Sequence, residues 1–568
     1  MNEKLQIVFG LLGGLAIFLY GMNMMSECLQ KAAGEKMKTI LALLTKNPVL
    51  GVLAGALTTA VLQSSSATTV MAIGFVSAGL MNLPQAISII LGANIGTTMT
   101  AQIIAFKLSD YIYIIIFVGF MISFIVKSER VKSIGQTIFA FGLLFLGIET
   151  MGSVMKPLAS SAFFVDLIAK VADMPILGVL VGTMMTLVVQ SSSATIAVLQ
   201  NFAAQAGPDG VTSILGLSGA IPILLGDNIG TTITALLASI GQPRNAKRTA
   251  VAHCIFNLSG ACIFIWFIKP FAHVIQMISP KGPEIQVISR QIANAHTSFN
   301  VVMTLIWVPL IWLMVKIVMK IIPEAKTSEK KSPALPQFLD DKLIGQPTAA
   351  LSLVKKEITR CSEMAGETLQ KLIDLVKEET EEQLEDVMNQ GNTVGKLTEQ
   401  ISEYLTNMFS SGTLTEGQTS QAAGLLYMLG DVERVNSLSM EVAESVREKK
   451  EQKYKYSKEA MRDLSKSLEQ IQGMYQEAIQ VLMTGSTENA KKIVKKKEKV
   501  LNLTIHMGKS HVERVGKGKC SGKLTAPFNR VLQNIGRMGN CCVNIADAVL
   551  AQADLDEFTA FAREGIEK

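Results

Sequence analysis

Four consecutive polar residues, Gln63 to Ser66, interrupt an apolar stretch spanning residues 49–80, and the same interruption returns as Gln190 to Ser193 inside 175–206. At about 100° per residue, four polar side chains cover nearly the whole circumference of a helix, so a straight lipid-facing span would push some into hydrocarbon. The pattern predicts a hairpin tip or a helix break lining a cavity, twice. The repeat extends beyond the quartet. Val61–Thr69 returns as Val188–Ile196, 127 positions later; Leu91–Thr98 returns as Leu225–Thr232, 134 later; and Phe18–Met22 is echoed by Leu144–Ile148, 126 later. Three matches in one order at nearly one offset define an internal duplication.

Charge divides the 568 residues in two. Positions 1–322 hold 19 Lys and Arg and 11 Asp and Glu, whereas 323–568 hold 34 and 36. The first part reads as membrane and the second as soluble helix. Apolar segments fall near 5–25, 49–80, 84–106, 111–126, 134–155, 175–206, 211–240, 249–268 and 292–322. The net charge of +6 lies in loops between them rather than on a basic face, which excludes a nucleic-acid partner and points to the lipid bilayer. Lys4 precedes an apolar run without a small-residue cleavage site, so 5–25 reads as a first membrane helix. The seven cysteines form no C-x-x-C pair, so neither a zinc site nor a disulfide framework is expected.

Basic loops set orientation. Placing Lys127, Arg130 and Lys132 inside also places Arg244, Lys247 and Arg248 inside, together with Lys31, Lys36, Lys38 and Lys46. Segment 249–268 then runs opposite to its counterpart 111–126, and the two repeats come out inverted, as in many secondary transporters. The expected fold is all-α: a polytopic membrane domain, 1–322, with inverted repeats at about 5–126 and 134–268, re-entrant hairpins, broken helices and an extra helix at about 292–322. A linker, 323–344, containing Pro323, Pro333 and Pro336, leads to a soluble helical domain, 345–568. There Leu351, Val354, Ile358, Cys361, Ala365, Leu369, Leu372 and Val376 line one helix face, and breaks near 412–417, 484–486 and 516–522 suggest about six helices in two three-helix bundles.

Helix breaks expose two kinds of group. Carbonyl ends with Ser, Thr, Asn and Gln oxygens suit a hard cation such as Na+, and amide ends suit an oxyanion. Gly92, Gly96, Gly226 and Gly230 are expected to allow unwinding around Asn94 and Asn228. The apolar segments hold Glu149, Asp227, His253 and His296, and no Arg away from boundary positions such as Arg248. An oxyanion near the midplane therefore lacks a guanidinium partner, so co-transport with Na+ is expected. Packing by small residues is the competing reading of Ser and Gly, and the paired, ordered motifs outweigh it. His253 and His296 read as helix-to-helix hydrogen bonders, with proton transfer the lesser reading. For Asp227, which replaces Ala93 of the first repeat, a cation-related role and a capping role both stand. Glu149 is expected to be packing-buried, and Trp266, Trp307 and Trp312 to anchor helix ends at the interface.

The paired Gln-Ser-Ser-Ser and Gly-x-Asn-Ile-Gly-Thr-Thr motifs resemble the type II sodium/phosphate cotransporters, and the tail resembles the PhoU domain of bacterial members, with Asp431-Val432-Glu433-Arg434 as its signature. The resemblance implies that Gln63, Ser64, Ser65 and Ser66 meet Gln190, Ser191, Ser192 and Ser193 at two re-entrant tips. Asn94, Thr97, Thr98, Asn228, Thr231 and Thr232 would complete the Na+ and inorganic phosphate sites. The family's His-x-x-x-Asn helix is matched by His253 and Asn257, while the first repeat has no such helix after Thr98. The acidic PhoU metal motif is not well preserved: Glu385 is followed four positions later by Asn389. The reading is a Na+-coupled phosphate carrier of the bacterial cytoplasmic membrane, with its tail in the cytoplasm, Na+ as its co-transported ion, no organic cofactor and no metal beyond Na+. A second copy of the chain and a phosphate-signalling protein are the further candidate partners. A carrier of another oxyanion and a phosphate sensor are the alternatives. An enzyme is not expected, since no Gly-x-Ser-x-Gly, Ser-x-x-Lys, P-loop or H-E-x-x-H accompanies the serines.

Overall fold

The computed structural model describes residues 3–33, 47–77, 79–106, 108–126, 128–159, 170, 174–207, 209–323, 332–452 and 456–564. The loop with Lys36, Lys38 and Lys46, and Lys127, lie outside the described residues. Those described are helices and loops with one isolated bridge, Ala206 to Ser213. The chain divides into two units, Met1–Thr327 and Ser328–Lys568.

In the first unit the helices are α1 (Glu3–Ala33), α2 (Pro48–Leu62), α3 (Ser65–Ser77), α4 (Leu83–Ile104), α5 (Ile112–Ile125), α6 (Glu129–Ala159), α7 (Pro175–Val189), α8 (Ser192–Ala203), α9 (Gly216–Ser239), α10 (Arg244–Phe264), α11 (Ile268–Ile278), α12 (Glu284–Trp307) and α13 (Ile311–Ile321). Four of them are long and apolar enough to cross a membrane, at Leu5–Leu29, Leu83–Ile104, Val131–Met155 and Gly216–Ser239. Two bent pairs, α10 with α11 at 94° and α12 with α13 at 85°, raise the number to six if each is one span. The straight extra helix expected at 292–322 is thus two helices with a sharp bend. Apolar side chains such as Phe117, Phe124, Ile114 and Val188 point outward, which suits lipid and would be costly in water.

Glycine fixes how the helices meet. A Cβ on Gly21 would stand 2.8 Å from Ala140 O, and one on Gly147 would stand 2.6 Å from Gly14 O. Later residues of α1 face earlier residues of α6, so these two repeat-related helices pack antiparallel. Shifting by the 126-residue offset maps the first contact onto the second, as a two-fold relation requires. In α2 and α4 the pairing is reciprocal: a Cβ on Gly55 would lie 2.1 Å from Ile89 O, and one on Gly92 would lie 1.9 Å from Val52 O. In α7 and α9, Gly182 and Gly226 repeat this at 2.0 Å from Ile223 O and Val179 O. The expected unwinding around Asn94 and Asn228 is therefore corrected. Helices α4 and α9 run unbroken through both motifs, and the glycines let two backbones touch.

Other expectations shift for equally local reasons. Segment 249–268 is not the packing counterpart of 111–126: α5 lies on α6, whereas α10 packs on α3, α4, α9 and α13. Glu149 is exposed rather than packed. Trp266 and Trp312 are exposed, but Trp307 is buried and donates from Nε1 to Ser259 Oγ at 3.1 Å, so it is a packing residue.

The second unit contains α14 (Pro347–Glu378), α15 (Glu381–Ser410), α16 (Glu416–Glu451), α17 (Lys458–Thr484), α18 (Thr487–Val494), α19 (Lys497–Gly516) and α20 (Thr525–Glu564). Thr380 and Thr415 each start a helix through a capping box with Gln383 and Gln418, and Gly485 ends α17 at φ 68°. Of the six helices expected, the fifth is split into α18 and α19. The stripe from Leu351 to Val376 joins residues of α15, α16, α17 and α20 in one core. The stretch expected as a free linker differs from Ser332 onward. Glu357, buried on α14, accepts from Gln337 N at 2.8 Å and Phe338 N at 2.6 Å, and Arg360 holds Pro333 O and Leu335 O, both at 3.0 Å. All seven cysteines are free thiols.

Candidate binding site at two helix breaks

Each polar quartet lies where one short helix ends and another begins. Gln63 closes α2 at φ 51°, ψ 23°, and Gln190 closes α7 at φ 56°, ψ 21°. Among the described residues only one other non-glycine, Glu379, has positive φ. A side chain in this left-handed region is unfavourable, and finding it twice at equivalent positions marks both breaks as built features. Helices of 15 and 13 residues are about 22 and 20 Å long, short of a hydrocarbon core of about 30 Å, so neither arm of the first break is long enough to cross it alone.

The two breaks share one construction. Ser64 Oγ accepts from Ala67 N at 3.2 Å and Ser191 Oγ from Ala194 N at 3.3 Å, capping α3 and α8. The amides of Ser65, Ser66, Ser192 and Ser193 precede the first intrahelical donors, Thr68 N and Thr195 N. Gln63 Nε2 donates to Ala60 O at 2.5 Å and Gln190 Nε2 to Leu187 O at 2.8 Å, turning each amide onto the carbonyl end of its own helix. Thr59 and Thr68 cross-link the arms of the first break at 2.9 Å, and Thr186 and Thr195 those of the second at 3.1 Å. These threonine pairs are functional candidates the sequence reading missed. The signal was there: each pair has a spacing of nine, at the 127-residue offset.

Behind the breaks stand the asparagine helices. Asn94 Nδ2 donates to Ile90 O at 3.0 Å and Asn228 Nδ2 to Leu224 O at 3.1 Å. Thr97 and Thr98 bond back to Ala93 O and Ile95 O, as Thr231 and Thr232 do to Asp227 O and Ile229 O. His253 Nε2 meets Asn94 Oδ1 at 3.1 Å, and His296 Nε2 meets Asn228 Oδ1 at 3.2 Å. Asn257 and Asn300 each donate to the carbonyl of the histidine four residues earlier. The first motif thus has its histidine helix after all: α10 serves Asn94, and α12, with His296 and Asn300, serves Asn228. His253 and His296 are thus helix-to-helix hydrogen bonders, as expected; Asn300, and the match of His296 and Asn300 to the His-x-x-x-Asn spacing 43 positions on, are left unassigned by the sequence reading.

The halves differ at Asp227. It sits in mid-helix, which removes the capping role, and its Oδ1 accepts from Thr186 Oγ1 at 2.6 Å while its fully buried Oδ2 has no hydrogen-bond partner. Ser66 Oγ accepts from Thr234 Oγ1 of the second repeat at 3.0 Å, and Thr100 Oγ1 donates to Gln63 Oε1 at 2.9 Å within the first. Between the tip segments themselves, 63–66 and 190–193, no hydrogen bond forms among the described residues. Also among these, no cluster of three or more His, Cys, Asp or Glu could hold a resident metal ion.

A duplicated helical membrane unit with two capped, strained breaks, each backed by an Asn–His pair, defines a carrier-like architecture. The chain belongs to the Na+/Pi-cotransporter family, which it matches over residues 17–153 and again over 151–279, and it carries the PhoU domain over 358–446 and 464–549. It is 32% identical over 309 residues to the uncharacterized protein YqeW of Bacillus subtilis, covering 54% of this chain and 96% of that one. It is 24% identical over 553 residues to the Salmonella typhimurium protein named "Putative inorganic phosphate export protein YjbB", covering 96% and 98%. A 145-residue stretch is 33% identical to human sodium-dependent phosphate transport protein 2B, covering 23% of this chain and 19% of that one. No solved structure matches the chain.

Proposed function

We propose that this protein carries inorganic phosphate across the bacterial cytoplasmic membrane in company with Na+. The observation that carries the reading is the pair of serine-capped breaks. At each, the first-turn amides of Ser65 and Ser66 or of Ser192 and Ser193 follow directly on the carbonyl end of the preceding helix. Amides suit the oxyanion; Gln63, Gln190, Asn94, Asn228 and the motif threonines supply oxygens for the cation. The antiparallel α1 and α6 support inverted repeats that exchange roles as the site turns from one face of the membrane to the other.

The family and its human relative favour Na+ coupling, and the YjbB relatives, named for export, favour outward flux. A coupled carrier runs either way as gradients dictate. The basic loops favour a cytoplasmic side for the helical tail, which in this reading adjusts the flux or passes phosphate status to a partner protein.

Labelled phosphate flux in proteoliposomes, with a Na+ gradient imposed in each direction, tests the reading. Na+-dependent accumulation that is lost in Gln63→Ala and Gln190→Ala is the expected result. Flux indifferent to Na+ would overturn the coupling. Phosphate binding without movement would turn the protein into a sensor, and flux of another oxyanion alone would change the substrate.

A further inference from the structure

Beyond the two breaks, a polar track leads along α4 and α12 to a guanidinium. Gln102 lies one helical turn past Thr98, and its Nε2 donates to Asn294 Oδ1 at 3.1 Å and to Thr297 Oγ1 at 3.0 Å. Thr297 follows His296, the partner of Asn228. At the far end Arg290 Nη1 donates to Gln102 Oε1 at 2.7 Å and to Gln102 O at 3.1 Å, while its guanidinium lies over the Phe106 ring, 4.4 Å from the centroid. Every partner of Arg290 is neutral, and among the described residues no carboxylate lies within ion-pair distance.

Three features argue against a merely structural cap on α4. Gln102, Arg290, Asn294 and Thr297 are all partly exposed. Polar groups and a full charge facing hydrocarbon would be costly, so the surface they form must be wet. The internal repeat supplies the comparison. At the corresponding positions of α9 and α10 stand Leu236 for Gln102, Val251 for Asn294 and Cys254 for Thr297, so the track has no polar twin. The cation alone is kept, as Lys247 in place of Arg290. Inverted repeats would put these two cations near opposite faces of the membrane, one at each entrance.

We propose that Arg290 is an anion-recruiting residue at one entrance, and that Gln102, Asn294 and Thr297 form the hydrated track by which an oxyanion reaches the paired breaks. This deepens the carrier reading and rests on it. Held in place by Gln102 and Phe106 without a neutralising partner, the guanidinium raises the local anion concentration, an effect that salt screens. Its contribution falls on capture rather than on the carrier's turning.

The test measures phosphate flux entering from the Arg290 face at low and high ionic strength. Arg290→Gln is expected to raise KM for phosphate about threefold or more at low salt, to leave kcat within about twofold, and to flatten the salt dependence; Arg290→Lys restores both. Unchanged KM, or a fall in kcat alone, would overturn the proposal in favour of a helix cap. Thr297→Cys keeps the question open to test should Arg290→Gln fail to fold. Its thiol is expected to react with a small anionic thiol reagent faster than the parent's seven cysteines, and phosphate should slow the reaction. A thiol that stays inert would overturn the wet track. Wild type that moves no phosphate, yet whose Thr297→Cys thiol is protected by another oxyanion, would leave the track standing and retire phosphate as the substrate.

Discussion

His296 presents Nε2 to Asn228 Oδ1 at 3.2 Å, and the direction of this bond is set from the asparagine side. Asn228 Nδ2 is held by Leu224 O, so Oδ1 must be the atom that faces the ring, and the histidine donates from Nε2. Asn94 and His253 obey the same logic, with Ile90 O as the anchor. Each unit joins a helix of the repeat core to one of the two bent pairs.

Removing either ring strands a buried amide oxygen. His253→Ala and His296→Ala should each destabilise the protein by about 1–3 kcal/mol from the unsatisfied group, with a cavity cost in addition. The double variant His296→Ala with Asn228→Ala should lose less than the sum of its parts, because the orphaned partner goes too. Thermal unfolding in detergent checks both; simple additivity would show that the pair is not coupled.

Backbone contact at the glycines predicts a sharp contrast. Gly55→Ala and Gly182→Ala place a Cβ 2.1 and 2.0 Å from a carbonyl oxygen, so they should cost more than about 2 kcal/mol and sharply reduce folded yield. Gly13→Ala, with nothing within 4 Å of its Cβ, should be neutral or gain up to about 1 kcal/mol. Size-exclusion yield and melting temperature separate the two classes.

At the breaks, stability and transport should move in opposite directions. Gln63→Gly and Gln190→Gly relieve a left-handed residue, a gain of about 1 kcal/mol offset in part by the lost side-chain bonds. The same changes remove the amides proposed to serve the site. A variant as stable as wild type, or more so, with phosphate flux down about tenfold or more is the expected result; full flux would dismiss the glutamines as ligands.

In the tail, Glu357 is buried and receives two backbone amides and Arg360. Glu357→Gln should weaken this anchoring by about 2–3 kcal/mol, since charge-assisted bonds are replaced by neutral ones. Hydrogen exchange of residues 333–344 should rise while the α16 core stays protected.

Burial raises the Asp431 carboxyl above its usual range, against the bond it receives from Asn544. A raised folded value means that its contribution is present at acid pH and is lost as pH climbs through that value. Asp431→Asn keeps an acceptor for Asn544, so it should stabilise the tail at neutral pH and flatten its stability between acid and neutral. Melting curves at several pH values read the difference.

The sequence disclosed what depends on pattern. The duplicated quartets located both breaks because four adjacent polar side chains cannot hide on one helix, and the heptad-like stripe from Leu351 to Val376 located the tail core. It did not disclose what depends on the neighbour. Gly92 reads the same whether it frees its own helix or admits the backbone of Val52, and only the 1.9 Å approach decides. Trp307 carries the same indole as Trp266, yet Ser259 waits for it inside. His296 was visible but had no visible partner, since Asn228 is 68 positions away and an α-helix offers no register between them.

The crossing of partners between repeats also imposes a timetable. Asn94 is 159 positions ahead of His253, so at 5–20 residues per second about 8–30 s separate the synthesis of the two. Through that interval the Asn94 oxygen has no histidine to accept from. A gene cut after the first repeat would encode an Asn94 whose histidine never arrives.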